Sequence, residues 1–345
     1  MGGVATMVAA YINEYQKFLK YGFTTKLFDA KPKFHLGFSR LNNIAFIFTQ
    51  RHDILNHLRN NRYDVIHIHT SCRFLFFKDL LLAKSIKTRY NIPIVLTIHV
   101  GAIDTVFNKF TWFRKRAIEI MNRYIVAIIF LAKPIMNDFI QNGLSCKKAH
   151  LLYNFHMLSV PFSKNKADKL ELLFVGAIHR EKGIIELLNA VKNFSGEEVH
   201  LNICGQLTDL AMKTEFDNLI EELGNRVTLL GYVSGVMKES VFRNADILIL
   251  PSYHEGLPLV IMEALGAGCG IIATPVGAIP EILSDENVLW VGIGSVEDIV
   301  SKLKLSCNDK STLEKMQKSN YQLGKQYSFE SHISRLSYVY KTCIV

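Results

Sequence analysis

The sequence predicts an α/β protein made of two doubly wound domains. The length of 345 residues exceeds the usual size of a single hydrophobic core. Short runs rich in Val, Ile and Leu alternate with helical segments, the pattern of parallel sheets covered on both faces. We therefore expect two α/β halves that face each other across a cleft, with ligands at the carboxyl ends of the strands.

The individual strands follow from these apolar runs. In the first half strands are predicted over 64–70, 92–99 and 124–132, with helices such as 73–90 between them. In the second half they are predicted over 170–176, 198–205, 226–231, 246–252 and 270–274. The segment 155–169 becomes polar and fits neither pattern, so residues 158–169 are predicted to be a linker between domains at 1–157 and 170–327.

Composition excludes several classes of protein. The apolar share is 49% and the charged share 21%, and no apolar run reaches the roughly 18 residues of a membrane span. The first residues lack the basic leader and apolar stretch of a signal peptide, so none is predicted. The six cysteines lie far apart without a CxxC pair, which argues against a zinc site or a disulfide framework and favours a cytoplasmic location.

The charge is divided unequally between the halves. Residues 1–157 hold 22 Lys and Arg against 8 Asp and Glu, a net charge of +14, whereas the remainder holds 18 against 23. The first half is therefore expected to meet an anionic partner. No nucleic-acid-binding motif is visible, so no nucleic acid is expected, and a membrane surface or a phosphorylated lipid fits.

The stretch "HEGLPLVIMEALGAG" at 254–268 places two carboxylates in an apolar segment. Glu255 is predicted in a loop, and Glu263 lies about five residues into a helix that starts at Pro258 and ends before Gly268 in a left-handed cap. The helix N-terminus between the two acids suits a phosphate. A nucleotide sugar, with hydroxyls at both ends and phosphates between, fits this arrangement. The structural alternative is that Glu255 only complements the dipole of the helix and that Glu263 lies on a solvated face. The neighbours of Glu263 are apolar, which argues against a solvated face.

The segment "PSYHEGLPLVIMEALGAGCGIIATPVGAIPEIL" at 251–283 resembles the signature of the large retaining glycosyltransferase family with the GT-B fold, the fourth in the usual classification. Its mark is a strand ending in Pro251 and Ser252, followed by Glu255 and Glu263 eight positions apart. Further similar segments cover nearly the whole chain, at 64–71, 92–101, 151–155, 172–191 and 327–343. The resemblance implies an acceptor domain at 1–157, a donor domain at 170–327, and a closing helix at 328–345 that packs back on the first domain.

The resemblance also implies roles for individual residues. Glu255 would hold hydroxyls of the donor sugar, Glu263 the ribose, and Lys182 the diphosphate. His99 would reach the donor sugar or the reacting centre, so the implied catalytic residues are His99, Lys182 and Glu255. His67 and His69 are interpreted as structural. The implied donor-binding set is Gly3, Gly176, Arg180, Lys182, Tyr232, Val233, Glu255, Gly256, Leu257, Leu259 and Glu263.

The implied reaction moves a sugar from a UDP- or GDP-linked donor to an acceptor hydroxyl and keeps the anomeric configuration. Members with this fold generally need no metal, and no Asp-x-Asp pair appears in the chain, so no metal or other cofactor is expected. A GT-B-fold nucleotide-sugar epimerase and a non-catalytic member that binds another transferase remain alternatives. A NAD-dependent dehydrogenase is disfavoured because no GxGxxG follows a first strand.

Three positions depart from the family pattern. Ala177 stands where an Arg is usual, and Arg180 could take over its contact with phosphate. Gly270 stands where a Pro is usual. The chain opens on "MGG", so the strand that normally precedes these glycines is missing; we expect it to be encoded upstream, and Gly3 to lie on an untethered loop.

The acceptor side is predicted from the segment 106–124, which mixes basic and aromatic residues in a manner typical of membrane interfaces. An ordinary solvated helix with its aromatic residues in the core is the structural alternative. With the basic first half, the segment favours a peripheral enzyme at the inner face of the cell membrane. The expected acceptor is a glycan, lipid-linked, in bacterial surface-polysaccharide synthesis, by analogy with the family.

Overall fold

The computed structural model describes residues 3–28, 40–70, 74–99, 111–158, 162, 169–194 and 199–344. The chain divides into two compact units. Unit 1 comprises Met1–Tyr153 with Ile333–Val345, and unit 2 comprises Asn154–His332. Most of the predicted linker, together with 106–110 of the basic aromatic segment, lies outside the described residues. No helix among those described is long and apolar enough to cross a membrane.

Unit 1 is built on a four-stranded parallel sheet in the order β1-β2-β3-β4. The strands are β1 (Ile66–Thr70), β2 (Ile94–Ile98), β3 (Ala127–Phe130) and β4 (Ala149–Leu151). Every residue of β2 and β3 is buried, which explains why both appear in the sequence as continuous apolar runs. The helices are α1 (Gly3–Asn13), α2 (Tyr15–Leu19), α3 (Arg40–Asn60), α4 (Phe74–Tyr90), α5 (Thr111–Tyr124) and α6 (Lys133–Gln141).

Two features of unit 1 differ from the prediction. Gly3 is the first residue of α1, and the expectation that it lies on an untethered loop is wrong. The helix is held by its apolar side, since Met7 and Ala10 are buried. Strand β4 was not predicted because its three residues carry no pattern of their own, and it forms by pairing with β3.

Unit 2 contains a six-stranded parallel sheet in the order β10-β9-β8-β5-β6-β7. The strands are β5 (Leu170–Val175), β6 (Val199–Cys204), β7 (Val227–Gly231), β8 (Ile247–Leu250), β9 (Gly270–Ala273) and β10 (Leu289–Trp290). The five predicted strands are β5 to β9, and β10 is too short to be visible in the sequence. The helices are α7 (Ile184–Asn193), α8 (Lys213–Leu223), α9 (Gly235–Asn244), α10 (Leu259–Ala267), α11 (Ile279–Ile282), α12 (Val296–Asn308) and α13 (Lys310–Gly324).

The strand order of unit 2 reverses direction between β5 and β8. The chain runs from β5 through β6 to β7 on one side, then returns to β8 on the other side and continues outward to β9 and β10. Leu172 and Leu173 of β5 pair directly with Ile247 and Leu248 of β8. A crevice forms outside the carboxyl ends of the two strands at such a switch point, and ligands of α/β sheets bind there.

The final helix, α14 (Phe329–Ile344), begins in unit 2, and from Ile333 onward it belongs to unit 1. Its buried Tyr340 lies 2.6 Å from the ring nitrogen Nδ1 of His67, measured from the tyrosine hydroxyl. The helix therefore returns to the first unit, and His67, whose Nε2 also lies 2.7 Å from Oγ1 of Thr97, has a structural part in anchoring it.

Candidate functional site

The loop that carries Glu255 joins β8 to α10 at the switch point. All four residues of β8 are buried. Helix α10 starts at Leu259, one residue later than predicted, and Pro258 is its N-cap residue in an extended conformation. The helix ends at Ala267, and Gly268 adopts the left-handed conformation with φ 64°, as predicted.

Glu255 forms an ion pair with Lys182. Its Oε1 accepts a hydrogen bond from Lys182 Nζ at 2.7 Å and another from Ser252 Oγ at 2.8 Å. The Glu255 side chain is 8% exposed, whereas that of Lys182 is 30% exposed. The carboxylate is thus nearly covered and held in one orientation, while the ammonium remains accessible to an anionic ligand.

Lys182 reaches Glu255 because two loops are locked together. Lys182 ends a short 3-10 helix over Arg180–Lys182 that follows β5, and Gly183 then adopts φ 67°. A Cβ on Gly183 would lie 2.1 Å from the carbonyl oxygen of Pro251, so only glycine allows this approach. The amide of Tyr253 donates to the carbonyl of Glu181 at 2.9 Å. The ends of β5 and β8 therefore bring together residues that are 73 positions apart.

Glu263 pairs with a lysine that the sequence analysis did not single out. It is the fifth residue of α10 and is 8% exposed, in a helix whose other residues after Leu259 are all buried. Its Oε1 accepts from Lys238 Nζ at 2.5 Å. Burial raises the pKa of Glu263, and the nearby Lys238 opposes that rise. The structure thus pairs Lys182 with Glu255 and Glu263 with Lys238. That Glu255, Glu263 and Lys182 line one pocket stays a prediction.

Lys238 was missed by the sequence analysis. It lies on α9, 25 residues before Glu263. A lysine in an otherwise ordinary helix gives no signal by itself, because most such lysines are solvated. An apolar environment around Glu263, which the sequence did show, could have prompted a search for a cation.

Arg180 does not point to the Lys182–Glu255 pair in this structure. Its guanidinium forms an ion pair with Glu215 on α8, and both side chains are about half exposed. Beside it, Ala177 is exposed. The idea that Arg180 contacts phosphate in place of the usual Arg therefore requires this surface ion pair to open, which costs little.

The remaining donor-binding candidates lie on loops of unit 2. The amide of Gly176, at the end of β5, donates to the carbonyl of Cys204 at 2.9 Å. The carbonyl of Gly256 accepts from the amide of Ala278 at 2.8 Å, and that of Leu257 accepts from Asn154 Nδ2 at 2.8 Å. These bonds fix the loop backbone from both sides. After β7, Tyr232 is exposed and Val233 is buried, and Leu259 at the start of α10 is half-buried.

His99 follows β2 in unit 1. Its amide donates to the carbonyl of Thr70 at 2.9 Å, and its Nε2 lies 3.1 Å from Nδ1 of His69. Burial lowers the pKa of His99 to about 4, so the imidazole is neutral near pH 7. His69 was interpreted as structural, and the structure makes it the neighbour that orients the ring of His99.

This pKa shift predicts how stability depends on pH. The native protein keeps His99 neutral down to about pH 4, whereas the unfolded chain takes up a proton near pH 6.5. Stability therefore falls as the pH drops through this interval, by about 2 kcal/mol between pH 7 and pH 5. In His99→Gln the difference between urea unfolding at pH 7 and pH 5 should shrink by about that amount. An unchanged difference would contradict the shift; the lowered pKa values of His150 and His156 act equally in both proteins.

Within the described ranges no group of three or more His, Cys, Asp and Glu side chains is arranged to hold a metal ion. The described charges of the site include those of its two lysine–glutamate pairs and of the N-terminus of α10. Both carboxylates already have a cation within hydrogen-bonding distance. Such a site can bind hydroxyls through its carboxylates and an anion through its accessible ammonium groups.

Each half of the chain matches the model of a protein family. The model described as Glycosyltransferase Family 4 matches residues 2–157, and that described as Glycosyl transferases group 1 matches residues 159–323. Both halves of the chain therefore belong to glycosyltransferase families. The α/β class with two parallel sheets and a returning C-terminal helix is the fold that the sequence predicted.

The individual proteins that the chain resembles share only a limited part of its sequence. The chain is 27% identical over 247 residues to an uncharacterized 41.2 kDa protein in the cps region of Klebsiella pneumoniae, covering 67% of this chain and 66% of that protein. It is 30% identical over 176 residues to the capsular polysaccharide biosynthesis glycosyltransferase CapM of Staphylococcus aureus, covering 50% and 45%. The matches thus span less than two thirds of either relative's length. Anabaena HepE, solved in complex with UDP-glucose, superposes with a TM-score of 0.68 at 16% identity, covering 95% of this chain and 88% of HepE.

Proposed function

We propose that this protein transfers a sugar from a UDP- or GDP-linked donor to a hydroxyl of a glycan acceptor, with retention of the anomeric configuration and without a metal. The observation that carries the proposal is the Lys182–Glu255 pair at the switch point of the unit 2 sheet. A covered carboxylate beside an accessible ammonium suits a ligand that presents hydroxyls next to a diphosphate. The match of HepE, which binds UDP-glucose, supports a nucleotide-sugar donor.

The chemistry follows from the charges. As the bond between sugar and diphosphate breaks, negative charge grows on the departing phosphate, and Lys182 stabilises it. Positive charge develops on the sugar, and Glu255, which Ser252 holds in place, stabilises that charge and orients the sugar hydroxyls. The departing phosphate then helps to remove the proton from the acceptor hydroxyl on the same face, so the configuration is kept. Lys182 and the N-terminus of α10 supply the positive charge that a metal would otherwise provide.

A screen for donor binding tests the proposal. A ligand that binds only the native protein stabilises it by about 2.7 kcal/mol at a hundred times its Kd. We expect at least one UDP- or GDP-sugar to raise the melting temperature clearly, and that donor to be consumed when acceptor glycolipid is added. An interconverted nucleotide sugar without transfer would identify an epimerase instead. Binding without any turnover would identify a non-catalytic relative, and no stabilisation by any nucleotide sugar would contradict the proposal.

The biological setting is proposed from the relatives and from the charge of the first half. Proteins named for a cps region and for capsular polysaccharide biosynthesis support a role in surface-polysaccharide assembly. Such an acceptor is lipid-linked, so we propose that the protein works peripherally at the cytoplasmic face of the membrane. The net charge of +14 over residues 1–157 supports attraction to anionic lipid.

Helix α5 is the element proposed to meet the membrane. Its inner side buries Ala117, Ile118 and Met121. Trp112 is 68% exposed. The outward face of the helix also carries exposed charged residues at helical spacing, namely Lys115, Arg116, Glu119 and Arg123. An exposed indole among basic side chains is typical of an interface with lipid headgroups.

Removing the charges on this face should weaken membrane binding. Each Lys or Arg near an anionic surface contributes about 1 kcal/mol, so replacing Lys115, Arg116 and Arg123 by Ser should lower affinity for phosphatidylserine vesicles about a hundredfold at low salt. Arg114 is left in place because its side chain, paired with Asp138, is only 15% exposed, whereas Arg116, which pairs with Glu119, is exposed. The control variant removes the same number of positive charges from unit 2, by replacing the exposed Lys304, Lys310 and Lys315 with Ser. Equal cosedimentation of the two triple variants would contradict this surface.

A further inference from the structure

The second carboxylate of the candidate site has a lysine of its own. Lys238 Nζ lies 2.5 Å from Oε1 of Glu263, and helix α9, which carries the lysine, packs against α10. The Glu263 side chain is 10% exposed and that of Lys238 is 23% exposed. By contrast Lys192 and Glu222, which pair at 2.8 Å on the surface of the same unit, are 41% and 51% exposed. The Lys238–Glu263 pair is therefore covered in a way that ordinary surface pairs are not.

The pair lies at the edge of the sheet where ligands bind. Helix α9, which carries Lys238, packs against β5, one of the two strands at the switch point. Helix α10, which carries Glu263, follows β8, the other strand there. The pair therefore lies beside the switch point.

A carboxylate in this position depends on its cation. Burial disfavours the charged form of Glu263, and the ammonium of Lys238 offsets that cost. Removing the lysine would leave a covered carboxyl group that takes up a proton far more readily. A protonated carboxyl group accepts hydrogen bonds more weakly than a carboxylate does.

We propose that Lys238 is a positioning residue of the donor site. It holds Oε1 of Glu263 and keeps the group as a carboxylate, so that Oε2 accepts from the two adjacent hydroxyls of the nucleotide ribose. This inference rests on the proposed function, in which Glu263 binds the ribose. Lys238 then acts through Glu263 on donor binding and has little effect on the rate of the chemical step.

Other titratable groups around α10 do not supply this charge. Besides α9, the helix packs mainly against α13, β9 and the 3-10 helix at Lys325–Tyr327. Strand β9 has no titratable residue, Lys325 is exposed and Tyr327 is half-buried. On α9 itself Arg243 is exposed and Glu239 is half-buried. Helix α13 buries Leu313, Met316, Gln317 and Asn320, and its exposed charged residues include Lys310, Lys315 and Lys318. Cys204 stays neutral in the range tested, because burial raises its pKa to about 11.

The test compares nucleotide binding with and without the ribose hydroxyls. Calorimetry is run with UDP and GDP and then, for whichever binds more tightly, with its 2′,3′-dideoxy analogue, at pH 6 and pH 8. We expect Lys238→Met to weaken binding of the normal nucleotide tenfold to a hundredfold, the usual loss for a hydrogen bond to a charged group. The loss should be larger at pH 6 than at pH 8, and Lys238→Arg should restore most of the affinity. The surface control Lys192→Met should bind as the wild type does.

The dideoxy analogue separates the two ways in which Lys238 could act. A residue that works through Glu263 loses its effect when the hydroxyls are absent, so Lys238→Met and wild type should bind the analogue equally. Likewise Lys238→Met should add nothing to Glu263→Gln. A loss that persists with the analogue would mean direct contact with phosphate and would overturn the proposal. If Lys238→Met does not fold, Lys238→Gln replaces it.

Failure of the donor assignment can be recognised separately. A wild-type protein that binds neither UDP nor GDP overturns both the nucleotide-sugar donor and the role of Lys238. A wild type that binds, together with a Lys238→Met protein of equal affinity at both pH values, overturns the role of Lys238 alone. A pH-independent loss would indicate a merely structural effect and would also count against it.

Discussion

Replacing Lys182 by Met should lower kcat about a hundredfold or more, with a smaller change in donor KM. The ammonium faces charge that grows during the reaction, so its loss removes stabilisation made mainly in the transition state. A hydrogen bond to a charged group contributes about 1.5–3 kcal/mol, which corresponds to roughly tenfold to a hundredfold. The loss should reach the upper end because Lys182→Met also leaves the covered Glu255 without its cation.

Steady-state kinetics on matched variants checks this expectation. Glu255→Gln should also act mainly on kcat, whereas Glu263→Gln should mainly raise the donor KM because the ribose does not change during reaction. The Lys182→Met and Glu255→Gln losses should not add in the double variant, because the two side chains form one pair. Lys192→Met, a surface lysine on the helix that follows, is the control. A Lys182→Met enzyme with wild-type kcat would remove the basis of the proposed mechanism.

Gly183→Ala should destabilise unit 2 by about 2–5 kcal/mol and abolish turnover. A left-handed φ costs a residue with a Cβ about 1–2 kcal/mol, and overpacking costs about 1–3 kcal/mol more. At φ 67° the new methyl group would lie 2.1 Å from the Pro251 carbonyl oxygen, so the two loops must separate. Their separation moves Lys182 away from Glu255, so activity should fall further than stability alone explains.

The matched control is Gly231→Ala. Gly231 has nearly the same φ, 66°, but nothing lies within 4 Å of a Cβ built on it. Its variant should therefore lose only the backbone part, about 1–2 kcal/mol. Urea unfolding measures both losses, and the difference between them isolates the contact with Pro251. Equal losses for the two variants would mean that the loops are not held at the distance described.

The fold was largely predictable because its strands are buried on both faces. Short continuous apolar runs rich in Ile and Leu, such as those of β2, β8 and β9, indicate covered strands, and their alternation with helices then favours parallel sheets. The strands β4 and β10 were not predictable, because three and two residues carry no periodicity. Their conformation comes from the neighbouring strand.

The candidate site was predictable only in part. The position of Glu255 in a loop, the five-residue depth of Glu263 in its helix and the cap at Gly268 follow from local sequence. The partners of the two acids do not, since Lys182 and Lys238 lie 73 and 25 positions away and meet them through the topology of the sheet. The resemblance to a known family suggested Lys182, but neither local sequence nor resemblance suggested Lys238.

The anomeric configuration of the product tests the proposed reaction most directly. A nucleotide sugar that stabilises the protein is incubated with it and acceptor glycolipid in excess chelator, and the anomeric proton of the transferred sugar is assigned by NMR spectroscopy. The proposed reaction predicts full activity with chelator and a product of the same anomeric configuration as the donor. An inverted product, or activity that chelator abolishes and a divalent ion restores, would contradict it.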